Sequence, residues 1–181
     1  MYYQTIYKSP IGNMTIACDG EKKHIVGLWI EGQKYFFGTL PEEPVSEEGI
    51  PVLRKAVDWL DSYFAGKKPD IRELPLAPRG GTFRQDVWKI LCEIPYGSVT
   101  TYGEIAKEMA VRMGRDTMSA QAVGGAVAHN PISVIIPCHR VVGTGGSLTG
   151  YAGGIDKKIK LLELEGVDTS VFFVPEKTTA P

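Results

Sequence analysis

Two rhythms of apolar and polar positions run along this chain. β-formers dominate residues 2–8, 13–18 and 24–30, and Ser9-Pro10-Ile11-Gly12 and Asp19-Gly20-Glu21 punctuate them as turns. That pattern predicts an antiparallel sheet of at least three strands. Residues 41–49 are acidic and contain proline, and read as exposed loop. The spacing then changes. Val52, Leu53, Ala56, Val57, Leu60 and Phe64 recur at helical intervals and predict a helix over 51–64 with one buried face. Residues 65–81, with glycine, proline and paired charges, read as a linker.

The second half is helical in pattern. Thr82 is the expected N-cap of a helix reaching Glu93, with Phe83, Val87, Trp88 and Leu91 on one face and Ile94-Pro95-Tyr96-Gly97 as its stop. Thr101 is expected to cap a helix over 102–113, and Ser119 one over 120–129, which Asn130-Pro131 ends. Residues 132–136 are apolar apart from Ser133 and should be buried. Residues 143–154 hold six glycines and read as loop. A last helix over 155–165 carries Ile155, Ile159, Leu161, Leu162 and Leu164, and no strong pattern follows Val167. The fold class expected is therefore mixed α/β (α+β): a sheet-plus-helix domain over 1–78, a helical domain over 79–169 and a tail over 170–181.

Composition narrows the function little. The 181 residues are 43% hydrophobic and 23% charged, as in ordinary globular proteins. No stretch is apolar for the ~18 residues a membrane span needs, and Met1-Tyr2-Tyr3-Gln4-Thr5 lacks the basic start of an export signal. A cytoplasmic monomer with no membrane partner is expected. Net charge is -1, split as -2 before Arg79 and +1 from it onward, so there is no global polycation for nucleic acid. Cys18, Cys92 and Cys138 form no CxxC pair and no zinc-type spacing with histidine, so no metal and no cofactor is implied. Cys18 and Cys92 sit in apolar patterns and read as small buried hydrophobes.

Chemistry concentrates in two places. The helices over 102–113 and 120–129, joined by a short glycine-containing turn, fit a helix-turn-helix, whose second helix docks on DNA. Ala120, Ala122, Gly124, Gly125, Ala126 and Ala128 leave that second helix almost bare. Glycine destabilises a helix interior, and spacing alone fits close helix packing as well as close approach to nucleic acid. The other place is Pro137-Cys138-His139-Arg140 at the end of the buried run. A thiol beside a histidine and an arginine sits where thiolate is stabilised.

That run, Ile135-Ile136-Pro137-Cys138-His139-Arg140-Val141-Val142, resembles the signature of the O6-alkylguanine-DNA alkyltransferases, the methylated-DNA–protein-cysteine methyltransferases. So do Val123-Gly124-Gly125-Ala126, His129-Asn130-Pro131, Gly150-Tyr151-Ala152-Gly153-Gly154 and Leu161-Leu162-Glu163-Leu164-Glu165-Gly166. The resemblance runs from Thr82 to Gly166, and several ordered motifs at matching spacing make it specific. It implies a ribonuclease-H-like N-terminal domain and a helical C-terminal domain with the helix-turn-helix. It also implies a reaction: irreversible, single-use transfer of an alkyl group from guanine O6 in double-stranded DNA to Cys138, after nucleotide flipping through the minor groove. The resemblance leaves open whether O4-alkylthymine is accepted.

Roles follow the same resemblance. Glu165 orients His139, which acts through a water as base on Cys138, and Tyr102 donates a proton near guanine N3. Asn130 holds the turn around the thiol. The carbonyls of Cys138 and Val141 read the guanine amino group, the Ala152 N–H faces O6, and Tyr151 and Gly153 complete the substrate site. Ala120, Gln121, Ala122, Gly124 and Arg140 face DNA. Gln121 is a departure, because many members carry an arginine there to fill the gap left by the flipped base. The zinc site of some members needs N-terminal cysteines and histidines that this chain lacks. Rivals are a lesion sensor of the alkyltransferase-like class, which Cys138 argues against, a redox-sensing helix-turn-helix regulator, and a cysteine hydrolase using Cys138, His139 and Glu165.

Overall fold

The computed structural model describes residues 1–176. It divides into two compact units, Met1–Gly80 with Pro131–Ile136, and Gly81–Asn130 with the chain from Pro137 onward.

The first unit is built on a sheet of β1 (Tyr3–Ser9), β2 (Gly12–Cys18), β3 (Ile25–Ile30) and β4 (Val45–Ser46), in the order β3-β2-β1-β4. β1, β2 and β3 are antiparallel neighbours, while β4 runs parallel to β1. The three long strands stand where the alternation predicts them. Helix α1 (Pro51–Phe64) packs across them, burying Val52, Leu53, Ala56, Trp59, Leu60 and Tyr63. Every residue of β3 is buried, so both faces of that strand are covered.

Two stretches differ from expectation. The acidic loop contains β4, two exposed residues that pair with Tyr3 and Gln4. The expected linker is not free either. Ile25 donates to the carbonyl of Pro75 (2.8 Å) and accepts from the N–H of Ala77 (2.8 Å), so residues 75–77 extend the sheet beyond β3. Residues 131–133 also pair with β3, in parallel and further along it. The Leu28 N–H donates to Pro131 O (2.9 Å) and Ser133 N–H donates to Leu28 O (3.0 Å). The run is buried as predicted, and its single polar side chain is satisfied, Ser133 Oγ donating to Gln33 Oε1 at 3.2 Å.

The second unit holds α2 (Thr82–Glu93), α3 (Tyr102–Arg112), α4 (Ala120–Ala128) and α5 (Ile155–Leu164). Its short strands β5 (Thr100–Thr101) and β6 (Val141–Val142) pair in parallel. Thr101 and Ser119 cap α3 and α4 as expected, accepting from the N–H groups of Glu104 (3.1 Å) and Ala122 (3.2 Å). Thr82 does not cap α2. It is the first helical residue, Gly81 is the N-cap, and no side chain closes that end. α2, α3 and α4 pack on one another, and Trp88 Nε1 donates to the Ala126 carbonyl (2.8 Å), fixing α4 against α2.

Candidate active site

Pro137 ends the buried run, and Cys138–Arg140 then form one turn of 3-10 helix before β6. That turn makes successive side chains diverge from a single point. Cys138 is 6% exposed and His139 fully buried. His139 Nε2 lies 2.5 Å from Glu165 Oε2 at the C-terminal end of α5. A carboxylate only accepts, so the imidazole donates from Nε2 and Nδ1 is its basic position. Glu165 also accepts from Arg140 Nε (2.7 Å) and Nη2 (3.1 Å) and from the Gly97 N–H (3.0 Å). Gly97 is held at φ +77, and a Cβ there would stand 3.0 Å from the Glu165 carbonyl. The position therefore suits a glycine on two counts.

Arg140 points inward. Its Nη1 donates to the Ile94 carbonyl (2.7 Å), its guanidinium stacks over the Tyr96 ring, and only 9% of the residue is exposed. It is the counter-ion of Glu165 and not a free outward cation.

Electrostatics set the resting protonation state. Burial pushes the Cys138 thiol up from its ordinary value, partly countered by a hydrogen bond from the Asn130 side chain and by the charge of Lys158. Burial pushes His139 down, partly countered by Glu165. The two therefore rest as thiol and neutral imidazole.

Sequence reasoning missed Lys158. This α5 lysine is fully buried and its Nζ donates to the carbonyls of Val141 (2.5 Å) and Thr149 (3.2 Å). Burial lowers its pKa to about 8, with the Cys138 charge acting in the opposite sense. The Thr149 carbonyl also accepts from the Tyr102 hydroxyl (3.1 Å). One carbonyl thus anchors both Tyr102 and Lys158. Tyr151 is 9% exposed, and its buried hydroxyl has no hydrogen-bond partner among the described residues. Ala152 and Gly153 beside it are half-buried.

On α4 the exposed positions are Ala120, Gln121 and Ala122. Gly124 is buried, whereas Gly125, one turn from Gln121, is half-exposed and would have open space around a Cβ. The helical period puts positions four apart on one face, so the bare outer face runs through 121 and 125. Gly124 belongs to the inner face.

A buried thiol next to a His139–Glu165 pair, in a unit that also carries a helix-turn-helix with a bare second helix, fits a DNA-binding protein equipped for thiol chemistry. Comparison with known proteins agrees. The 6-O-methylguanine DNA methyltransferase family matches as two domains, its ribonuclease-like domain over residues 1–78 and its DNA-binding domain over residues 82–167. A methylated-DNA–protein-cysteine methyltransferase of Methanosarcina acetivorans is 43% identical, covering 92% of this chain and 99% of its own. One from Haemophilus influenzae is 39% identical, covering 91% and 87%. Among solved structures, Mycobacterium tuberculosis O6-methylguanine methyltransferase superposes with a TM-score of 0.74 at 40% identity, covering 98% of this chain and 97% of its own. The same organism's OGT in complex with DNA gives 0.73 at 40% identity, covering 94% of each. The chain belongs to the 6-O-methylguanine DNA methyltransferase family. Among the described residues, no helix is long and apolar enough to cross a membrane.

Proposed function

We propose that this protein repairs DNA by taking the alkyl group from O6 of guanine onto Cys138, once per molecule. The observation that carries the reading is the Cys138 thiol beside a neutral His139 whose Nε2 is held by Glu165. His139, through a water, takes the thiol proton, and the sulfur attacks the alkyl carbon. An S–C bond forms, the C–O6 bond breaks, and its electron pair leaves with guanine. Tyr102 supplies the proton that neutralises the departing base. A thioether has no leaving group that water or a thiol displaces readily, so the acceptor is spent.

The other site residues serve binding. The target atom lies inside the duplex, so the nucleotide is flipped out to reach the thiol. α4 approaches the minor groove with Ala120, Gln121 and Ala122 outward, and short side chains suit its ~6 Å width. The Val141 carbonyl already accepts from Lys158, and its second lone pair is available for the guanine amino group. The Cys138 carbonyl and the Ala152 N–H complete the reading of the base edge, and Asn130 steadies the turn. Tyr151, with its unmatched hydroxyl, and Gly153 line the pocket. Arg140 acts indirectly by holding Glu165. We propose that it works on chromosomal DNA, in the cytoplasm.

The test is stoichiometry. A duplex carrying one O6-methylguanine, incubated with limiting protein, should lose one methyl group per protein molecule and no more. Cys138→Ala should bind the duplex and remove none. Release of repaired DNA in excess of protein would overturn the reading.

A further inference from the structure

Residues after 167 lie beyond the match to the family's DNA-binding domain, and their composition shows no strong pattern. Their backbone is nevertheless committed. Asp168 accepts from the Ser170 N–H (3.0 Å) and starts a 3-10 turn over Thr169–Val171, while Thr169 Oγ1 donates to Glu163 Oε1 of α5 (3.1 Å). Phe172 packs on the buried cluster of Val142, Leu148 and Leu162. Phe173 then runs parallel to Ser147. Its N–H donates to Gly146 O (3.1 Å), and its carbonyl accepts from the Leu148 N–H (2.8 Å).

The stretch it grips belongs to the loop rich in glycine. Such a loop has much conformational freedom to lose on ordering. Its own internal backbone bonds near this point are Gly143 N–H to Ser147 O (2.7 Å) and Gly146 N–H to Gly143 O (3.2 Å). Gly146 sits at φ +88, and a Cβ there would stand 3.0 Å from Val171 O and 3.1 Å from Phe172 Cδ1. The two backbones therefore approach as closely as only glycine permits. Immediately after Leu148 comes Thr149, whose carbonyl anchors both Tyr102 and Lys158.

We infer that residues 169–173 form a strap that positions the active-site loop, with Phe172 and Phe173 acting on alkyl transfer through the Thr149 carbonyl. The inference rests on the transfer reaction proposed above. Phe172 supplies the packing and the Phe173 backbone supplies the register. Neither touches the reacting atoms, so both are positioning residues. Their loss should slow transfer without weakening the hold on DNA, because α4 is capped and packed independently of this segment.

Phe173→Pro isolates the register. Proline deletes the N–H that Gly146 accepts, and Phe172 at φ -103, ψ 161 already has the backbone a pre-proline residue requires. The Phe173 side chain is 53% exposed, so Phe173→Leu keeps the bond and serves as the conservative control. With saturating methylated duplex, Phe173→Pro should cut the single-turnover rate about tenfold, as expected for one lost orienting hydrogen bond. The half-saturating DNA concentration should stay unchanged, and Phe173→Leu should match the parent. Hydrogen exchange at the Leu148 amide should quicken in Phe173→Pro alone. Phe172→Ala, which spares every backbone bond, should slow transfer in the same manner and decides the matter if the proline variant does not fold. A proline variant as fast as the parent, an unchanged Leu148 amide, a leucine variant as slow as the proline one, or a loss confined to DNA binding would overturn the strap. A parent protein that transfers nothing would overturn the repair reading instead, and Leu148 exchange would still decide the strap.

Discussion

The two units bury different kinds of side chain. In the first, the buried polar residues among those described are Thr15, Gln33 and Ser133, none of which carries charge. In the second they are Asn130, His139, Arg140, Lys158 and Glu165. Burying an ion costs several kcal/mol even after relaxation, and a well-packed apolar replacement is often as stable or more so. A unit that needs only to fold has no reason to bury such groups, and the first does not. The second buries four ionisable side chains, His139 and Arg140 directly after the thiol and Lys158 and Glu165 brought to that turn by α5. That excess is where the function resides.

The sharpest way to break this contrast is to alter one buried side chain in each unit. Glu165→Gln should be the most damaging. It leaves Arg140 buried without its anion and replaces the carboxylate that holds His139 with a neutral amide offering one acceptor oxygen where two are in use. Breaking a buried pair costs about 3–5 kcal/mol, and losing the positioned base should slow transfer about 10²–10⁴-fold. Leu28→Ala in the sheet of the first unit should cost about 2–5 kcal/mol by leaving a cavity, yet leave the transfer rate of the folded protein unchanged. Denaturant unfolding and single-turnover transfer, measured on both variants, check the pair. Equal kinetic defects in the two would erase the distinction.

Tyr102→Phe comes next. The ring remains to pack, but the hydroxyl that bonds Thr149, and that the proposed mechanism uses as proton donor, is gone. Transfer should fall about 10²–10⁴-fold while the affinity for duplex DNA is retained. An unchanged rate would remove Tyr102 from the chemistry.

Lys158 offers a test by pH, with a definite sign. Its pKa in the folded protein is about 8, against about 10.4 for an unfolded lysine. Between those values the folded state holds fewer protons than the unfolded one, so this group makes stability rise with pH. Cys138 acts oppositely, because its thiol is pushed up on folding, so the comparison belongs in a Cys138→Ala background. There, loss of the thiolate extends the lysine's window downward. Against the same protein with Lys158→Met, the lysine form should gain about 1–3 kcal/mol between about pH 7 and about pH 10. Urea unfolding at several pH values measures it, and a flat difference would mean that Lys158 is not depressed.

The smallest effect is expected at Gln121. An arginine there should raise the single-turnover rate on duplex DNA by filling the vacated stack, and steepen the salt dependence by about one phosphate. On free O6-methylguanine, where nothing is flipped, the rate should not change. Equal effects on both substrates would show that position 121 does not limit flipping.

Most of the elements were legible because burial imposes a period. β1, β2, β3 and α1 to α5 follow from it, and the caps at Thr101 and Ser119 from side-chain chemistry. β4 and residues 75–77 were not legible, because they join the sheet through backbone groups that no side chain announces. The family resemblance, carried by the motif around Cys138, singled out Cys138, His139, Tyr102 and Glu165, of which the structure joins His139 to Glu165. Lys158 was hidden among Lys157 and Lys160, where a lysine is ordinarily solvated. Helical phase could have exposed it, since 158, 161, 162 and 165 share the i, i+3, i+4, i+7 stripe that is buried in α5. Arg140 and Gly124 face inward because of the turn and the helix phase that carry them. The tail expected over 170–181 is the strap as far as it is described, and residues 177–181 lie outside the described residues.

The central claim is that one thiol of three is the acceptor. Cys18 and Cys92 are both pushed up to about 11, chiefly by burial. The protein should be reacted with an excess of duplex carrying O6-methylguanine, digested, and its cysteine peptides weighed by mass spectrometry. One methyl group on the Cys138 peptide, with the Cys18 and Cys92 peptides unmodified, is the result the account predicts. A methyl group on either of those peptides, or an unmodified Cys138 peptide alongside demethylated DNA, would contradict it.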